Sequence, residues 1–263
     1  MERVIRLFRP HTNIPKTDNL LVWAFWCAVL LFIWQFLLPV TLPRPLETLV
    51  ELKRLWYTQG LAHELWASYK VQILAIAYGA VISLIVAYLT TLPVMRPLAK
   101  MLSVLRFLSL GAIVVFLTLA FMLDAHNLKL TLLTIGIGSF YLTGMLQVVE
   151  DVSKQNLDYA RSMRMGPWES TWEQIILGKA DQAVALLRQN AAMGWMMLTM
   201  VEGLVRGEGG VGTLLLNEGK HFNLQAIAAI ILVLMIIALL QDLAFRAFEK
   251  WAFPYAFLSK ERQ

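Results

Sequence analysis

Long, nearly uncharged apolar blocks constrain the fold of this chain more than any other feature of its sequence. Such blocks recur along its 263 residues, and each is long enough to cross a hydrocarbon core about 30 Å thick. Charged residues make up only 16% of the chain, whereas an ordinary soluble domain carries about 25%. The sequence therefore predicts an all-α membrane protein with six transmembrane helices, at residues 20–38, 73–92, 107–123, 130–149, 183–205 and 224–241.

The distribution of basic residues predicts the orientation of these helices. Most of the 23 Lys and Arg residues lie in the two terminal segments and in the loops after the second and fourth blocks. Cytoplasmic loops carry the excess of basic residues in membrane proteins, so both termini are expected in the cytoplasm. The predicted parts are a cytoplasmic N-terminal segment, a first span with an external amphipathic segment, a five-span core and a cytoplasmic tail, at residues 1–19, 20–62, 63–250 and 251–263.

A glycine-rich stretch, "VEGLVRGEGGVG", follows the fifth block. Gly207, Gly209 and Gly212 have the G-x-G-x-x-G order of a dinucleotide-binding loop. That site requires a preceding strand and a following helix in a parallel sheet, whereas these glycines follow a membrane helix on the predicted external side. The stretch therefore predicts a tight turn and a short re-entrant segment between the fifth and sixth spans, and no nucleotide site.

Glu202, near the outer end of the fifth block, is an ionisable group inside a predicted span. Such groups usually face a cavity or a partner rather than lipid. Two interpretations remain open: Glu202 lies on a translocation path, or it is structural and bonds, for example, to Arg206 one helical turn later. The spans contain no paired acids and no Ser/His or His/Asp set, and the four histidines lack metal-ligand spacing. We therefore predict a protein that is not an enzyme and binds neither metal nor nucleic acid.

The loop at residues 150–182 is the largest predicted cytoplasmic insertion. Gly166 and Pro167 divide it, and proline suits the first turn of a new helix. Trp168, Trp172 and Ile175 or Ile176 then recur at helical spacing, with Glu169 and Glu173 on the other face. A helix that lies on anionic lipid usually carries Lys or Arg on its polar face. The two glutamates therefore favour docking into another protein.

Several stretches, taken in order, resemble the permeases of bacterial ABC importers of the nitrate/sulfonate/taurine type. "LPRPLETL", "HELWASYKV", "MLSVLRFLSLGA", "ALLRQNAAMGWMML" and "VEGLVRGEGGVGTLL" are similar to successive motifs of that family. The loop resembles its EAA loop, with Asp158 at the expected Glu, Arg164 at the usual Gly and Gly166 two places later. Ser109 stands where the family has a proline.

The resemblance implies a coupling helix between spans four and five that docks on separate ATPase subunits. The residues expected to couple, within 158–177, are Asp158, Ala160, Arg161, Arg164, Gly166, Trp168 and Trp172. Path or gate residues would be Glu202, Gly210, Gly212, Arg106 and Ser109, although Arg106 could simply snorkel to the membrane edge.

The implied location is the bacterial inner membrane, in contact with lipid. The implied partners are ATPase subunits, a second permease copy or paralogue, and an external solute-binding protein. ATP and Mg would be bound by the ATPase subunits, because no cofactor site is expected in this chain. The expected cargo is a small anion or polar organic solute, such as nitrate, a sulfonate or taurine. The alternative is a subunit of a secondary transporter or channel that ATP does not drive.

Overall fold

The computed structural model describes residues 16–37, 39, 42–122, 124–152, 158–160 and 162–255. These residues form helices, turns and connecting segments, and no strand occurs among them. The helices that matter for the argument are α1 (Lys16–Phe32), α2 (Pro45–Thr58), α3 (Leu61–Leu89), α4 (Arg96–Ser103), α5 (Leu110–Phe121), α6 (Ala125–Glu150), α7 (Pro167–Ser170), α8 (Ala180–Leu204), α9 (Val211–Lys220) and α10 (Leu224–Ala252). The predicted all-α class is confirmed for this part of the chain.

Three of the described helices are long and apolar enough to cross a membrane, namely α3, α6 and α10. A fourth span is added if the helical pair Pro93–Phe107 and Leu110–Phe121 is counted as one. The first apolar block forms α1, which continues into a π-helical turn at Ile33–Leu37, and its apolar part is shorter. The described helices therefore establish three or four candidate spans, and six remain a prediction.

The third predicted span, at residues 107–123, is not a single regular helix, and as a span it stays a prediction. The chain bends by 112° between Pro93–Phe107 and Leu110–Phe121. Leu108 and Ser109 have extended backbone, with ψ of 133° and 117°, so the helical hydrogen-bond ladder is interrupted there. Helix α5 begins only at Leu110. Hydrophobicity alone did not reveal this break, because Phe107 and Leu108 are as apolar as the residues of α5 that follow.

The fifth block forms α8, a helix of 25 residues that is less apolar than the three clear spans. Arg188 lies in its first half, and this charge is paired with α10. Its Nε atom lies 3.2 Å from Asp242 Oδ1, and its Nη1 donates to Glu249 Oε2 over 2.9 Å. The ion pairs join the N-terminal part of α8 to the C-terminal part of α10.

The core lies where α3 packs closely against α6 and α8. A Cβ atom on Gly79 of α3 would lie 3.2 Å from the backbone nitrogen of Gly138 on α6. Small residues at such a contact let two membrane helices approach closely. The fully buried side chains of this region include Ala75, Leu132, Leu133, Leu198 and Val201.

The predicted external amphipathic segment contains helix α2. One face of α2 is buried, since Thr48 and Leu55 are inaccessible to solvent, whereas Val50 and Tyr57 are exposed. Leu55 packs in a cluster with Leu61 of α3, Val211 of α9 and residues of α10. The segment therefore covers one end of the bundle.

Candidate functional site

The carboxylate of Glu202 is held inside the protein at the C-terminal end of α8, with only 1% of the residue exposed. Ser68 Oγ on α3 donates to its Oε1 over 2.6 Å, and the backbone nitrogen of Gly212 donates to its Oε2 over 2.8 Å. A buried carboxylate needs such donors, because an unpaired buried charge is strongly destabilising. The two bonds join α3, α8 and the start of α9.

The glycine-rich loop between α8 and α9 wraps around this carboxylate. Gly209 and Gly210 have φ values of +72° and +106°, which side-chain-bearing residues rarely adopt. A Cβ atom on Gly210 would lie 2.4 Å from the carboxylate carbon of Glu202, and one on Gly212 would lie 2.3 Å from the carbonyl oxygen of Thr199. Glycine is therefore required at position 210 for both conformation and space, and at position 212 for space.

The backbone amides of this loop bind carboxylates and a hydroxyl of the same chain. Besides the bond from Gly212, the amide of Gly210 donates to the carboxylate of Glu64, and the amide of Val211 donates to Ser68 Oγ over 2.9 Å. Clusters of backbone N–H groups are anion-binding features. The anions found here are Glu202 and Glu64, which accounts for the glycine pattern without a nucleotide.

Helix α6 contributes a lysine and a histidine that contact the same glycine-rich loop. Buried Lys129 donates from Nζ to the carbonyl oxygen of Gly209 over 2.7 Å. His126 Nδ1 lies 3.1 Å from Glu208 Oε2 at the surface. The loop is thus fastened to α3, α6 and α8 at one end of the bundle.

The suggested ion pair between Glu202 and Arg206 is not what the structure contains. Arg206 donates from Nε to the carbonyl oxygen of Gly203 over 3.3 Å, whereas Glu202 bonds to Ser68 and Gly212. Sequence reasoning singled out neither Glu64 nor Lys129. The stretch "HELWASYKV" did contain Glu64 and Ser68, one helical turn apart, and this spacing was the available signal.

Ser109 is one of the two extended residues that form the break at the start of the third apolar block, and Arg106 lies just before it. Ser109 is exposed, and a Cβ atom on neighbouring Gly111 would lie 3.8 Å from Leu204 Cδ1. The start of α5 is therefore close to the end of α8. The guanidinium of Arg106 lies 4.6 Å from the ring centroid of Phe107, a cation–π contact.

The amphipathic segment Pro167–Leu177 begins at Pro167 as predicted, as helix α7 followed by a π-helical turn at Thr171–Leu177. Trp168 and Trp172 are 64% and 55% exposed, whereas Ile175 is only 6% exposed. Of the two isoleucines predicted as alternatives for the face of the tryptophans, Ile175 is therefore buried away from it, whereas Ile176 is half-buried. A π-helical turn has wider spacing than an α-helix, and it places Ile175 toward the bundle.

The residues before this segment differ in their surroundings. Ala160 is fully buried, whereas Asp158, Arg164 and Gly166 are exposed. Arg164 has φ of +59°, a left-handed conformation that glycine adopts more easily. Arg161 lies outside the described residues.

Among the comparisons with known proteins, the comparison with solved structures supports the fold. A scan against protein-family models gives no match, and a search of curated proteins gives no significant match. Among solved structures, the chain is similar to a chain of the MetNI methionine ABC transporter in inward-facing conformations, with a TM-score of 0.60. The identity is 16%, and the match covers 72% of this chain and 94% of that chain.

A likeness at this identity establishes a shared fold. The chain therefore has the helical fold of a membrane chain from an ABC transporter. Methionine is the solute named for that transporter, and the likeness carries no assignment of a solute to this chain.

Proposed function

We propose that this chain is a membrane-spanning permease subunit of an ATP-driven ABC importer. The observation that carries the proposal is the pair of outward-facing tryptophans, Trp168 and Trp172, on a helical segment between α6 and α8 of an ABC-transporter fold. Separate ATPase subunits would bind ATP and Mg and would dock on residues 158–177.

The exposed face of the segment has the chemistry of a protein interface. Large aromatic side chains dominate the binding energy of many interfaces, and Leu177 is exposed beside the two tryptophans. Glu169 and Glu173 are also exposed, and carboxylates are disfavoured next to anionic lipid. A binding surface on another protein can accommodate both the aromatic and the acidic side chains.

The contacts of the inner face of the segment support the idea that its displacement is transmitted to the membrane helices. Thr171 and Ile175 line a cavity of about 480 Å³ together with Thr90 just after α3 and Glu150 at the end of α6. Helix α8 begins three residues after the segment ends. A displacement of the segment would therefore be passed to packed helices as a rigid-body shift.

The path itself requires more than one copy of this fold. On α8, the described chain leaves a row of apolar side chains 39–70% exposed, namely Met193, Met196, Met200 and Leu204. The exposed break at Leu108–Ser109 lies on the same part of the fold, beside the end of α8. Extended backbone at membrane depth is tolerated where protein buries it or a cavity wets it. We infer that a second copy or a paralogue completes a central path about a two-fold axis.

Within this proposal the glycine loop holds the outer end of the path closed. Glu202, Gly210 and Gly212 fasten the loop, whereas Ser109 lies on the path and Arg106 at its edge. The complete chain would have six spans in a bacterial inner membrane, with both termini cytoplasmic. An external binding protein would deliver a nitrate-, sulfonate- or taurine-like solute.

Photo-crosslinking tests the docking step. A photoreactive amino acid at position 168 or 172 should capture an ATP-hydrolysing protein when the full-length chain is expressed in its native membrane. Trp251 provides a matched control, because it is 81% exposed but lies at the end of α10. Adducts with lipid alone at positions 168 and 172 would refute docking.

Uptake into vesicles tests the energy source. Solute uptake should require the co-expressed ATPase and ATP, and Trp168→Ala with Trp172→Ala should abolish it while Trp251→Ala leaves it intact. Uptake that persists without any ATPase would instead identify a secondary transporter or channel.

A further inference from the structure

Helix α4 lies nearly at a right angle to the apolar helix that follows it. The segment Pro93–Phe107, which contains α4, is bent by 112° relative to Leu110–Phe121. Helix α5 contains no charged residue, and its block is predicted to enter the membrane. With α5 in that position, α4 lies along the membrane surface, as amphipathic helices at a bilayer interface do.

The side chains of α4 divide into three groups around the helix. Ala99 is buried where α4 packs on α6. Leu98 and Met101, three residues apart, form an exposed apolar face. Arg96 and Lys100, four residues apart, share another face and are also exposed. Cations beside an exposed apolar face are typical of a helix that contacts anionic lipid, which is the opposite of the acidic pattern in the Pro167–Leu177 segment.

Both cations of α4 line the cavity that the amphipathic segment closes from its other side. This cavity of about 480 Å³ lies between the end of α3, helix α4, the end of α6 and the segment. Within the described part of the chain, neither Arg96 nor Lys100 forms an ion pair. Glu150 is the acidic residue among the described residues of the lining, and it is exposed. The described lining therefore has a net positive charge.

The hydrogen-bond donors that remain for a ligand belong to the two cations. Arg96 Nε donates to the carbonyl oxygen of Thr90 over 3.2 Å, which anchors the guanidinium and leaves its two terminal NH2 groups for other acceptors. The hydroxyls of Thr90 and Thr91 already donate to backbone carbonyl oxygens. A phosphate group has enough oxygens to accept from the guanidinium and from the Lys100 ammonium together.

We propose that this cavity binds the phosphate of an anionic phospholipid, with the head group held by Arg96 and Lys100 and the acyl chains on the exposed apolar face of α4. That face places the cavity at the level of the lipid head groups, where lipid phosphate is far more concentrated than any free ion. The net positive charge favours a head group with net negative charge over a zwitterionic one.

A bound head group would also contact the inner face of the amphipathic segment, because Thr171 and Ile175 line the same cavity. The lipid would thus lie between the membrane-surface helix α4 and the segment proposed to dock on an ATPase. The lipid site itself requires only the membrane fold and does not depend on that docking.

Native mass spectrometry of the full-length protein would measure this binding. Detergent-solubilised protein titrated with phosphatidylglycerol and phosphatidylcholine of the same chain length should retain phosphatidylglycerol preferentially. Arg96→Gln and Lys100→Gln should each weaken its retention about fivefold, the effect expected for one cation at an anionic lipid surface. Arg96→Lys keeps the charge and should retain most of the binding. Both exposed positions should tolerate these changes, so Tm should stay close to that of the wild type.

Lys250→Gln is the matched control for the loss of one positive charge. Lys250 is exposed near the end of α10 and does not line the cavity, so this variant should retain phosphatidylglycerol as the wild type does. An excess of inorganic phosphate distinguishes a lipid site from a site for the free ion, and it should not displace the bound phosphatidylglycerol.

Four results would overturn the inference. Equal retention of the two lipids by the wild type would show that the cavity does not select an anionic head group. An equal loss in Lys250→Gln would indicate general surface charge, and displacement by inorganic phosphate would identify a free-ion site. Unchanged lipid retention in the Arg96→Gln, Lys100→Gln double variant, with loss of ATPase capture at positions 168 and 172, would assign the two cations to a protein partner.

The same crosslinks keep this inference separate from the proposed function. Intact ATPase capture without lipid preference would reject the lipid site and leave the permease proposal standing. Lipid preference without ATPase capture would do the reverse.

Discussion

Replacing Glu202 is the most direct test of the idea that an internal carboxylate organises the glycine loop. The carboxylate accepts two hydrogen bonds, from Ser68 Oγ at 2.6 Å and from the Gly212 amide at 2.8 Å. Glu202→Gln keeps the volume but substitutes an NH2 donor for one acceptor, so one of these two donors loses its partner. A hydrogen bond to a charged group contributes about 1.5–3 kcal/mol, and we expect Glu202→Gln to destabilise the protein by about 2 kcal/mol.

Glu202→Ala should cost more, because it leaves both the Ser68 hydroxyl and the Gly212 amide without an acceptor. Each unsatisfied buried group costs about 1–3 kcal/mol, which gives about 2–6 kcal/mol for the pair. Thermal unfolding of the full-length protein in detergent would measure both variants. For a chain of this size a loss of 1 kcal/mol lowers Tm by roughly 2–4 °C, so Glu202→Gln should lower it by roughly 4–8 °C.

Two controls make the result specific. Glu208→Gln changes the same loop, but Glu208 is a partly exposed partner of His126 and should contribute less than 1 kcal/mol. A double-mutant cycle with Ser68→Ala should give a coupling energy of at least about 0.5 kcal/mol. The reasoning is refuted if Glu202→Gln melts with the wild type, or if the effects of Glu202→Gln and Ser68→Ala are additive.

Three further substitutions test other parts of the structure by the same melting measurement. Gly210→Ala should prevent loop closure and lower Tm by more than Glu202→Gln, because φ is +106° and the new Cβ would meet the Glu202 carboxylate. Gly166→Ala is the control and should leave Tm unchanged, because nothing lies within 4 Å of its Cβ position. Arg164→Gly should raise stability by about 1 kcal/mol, since it removes a left-handed conformation from a side-chain-bearing residue; an unchanged or lower Tm would contradict this. Arg188→Gln should lower Tm strongly, because it leaves Glu249 buried without its partner, and rescue by Glu249→Gln would confirm the pairing.

The apolar pattern of the sequence determined the helical class and the places of the clearest spans. Blocks at residues 130–149 and 224–241 lie within α6 and α10, and the block at 73–92 overlaps α3, which begins earlier at Leu61 and ends at Leu89. The Gly-Pro pair also located the start of α7 at Pro167. These features are local, because hydrophobic length and helix-starting residues act within a few turns of the chain.

Only the tertiary structure decided the partners of the polar groups and the breaks within the helices. Ser68 and Glu202 are 134 residues apart in the chain, so no local pattern connects them. The extended backbone at Leu108–Ser109 and the π-helical turn that separates Ile175 from the two tryptophans both lie in stretches whose composition suits a regular α-helix. Buried donors and acceptors must find partners wherever packing places them, and this requirement is met between helices, beyond the reach of sequence periodicity.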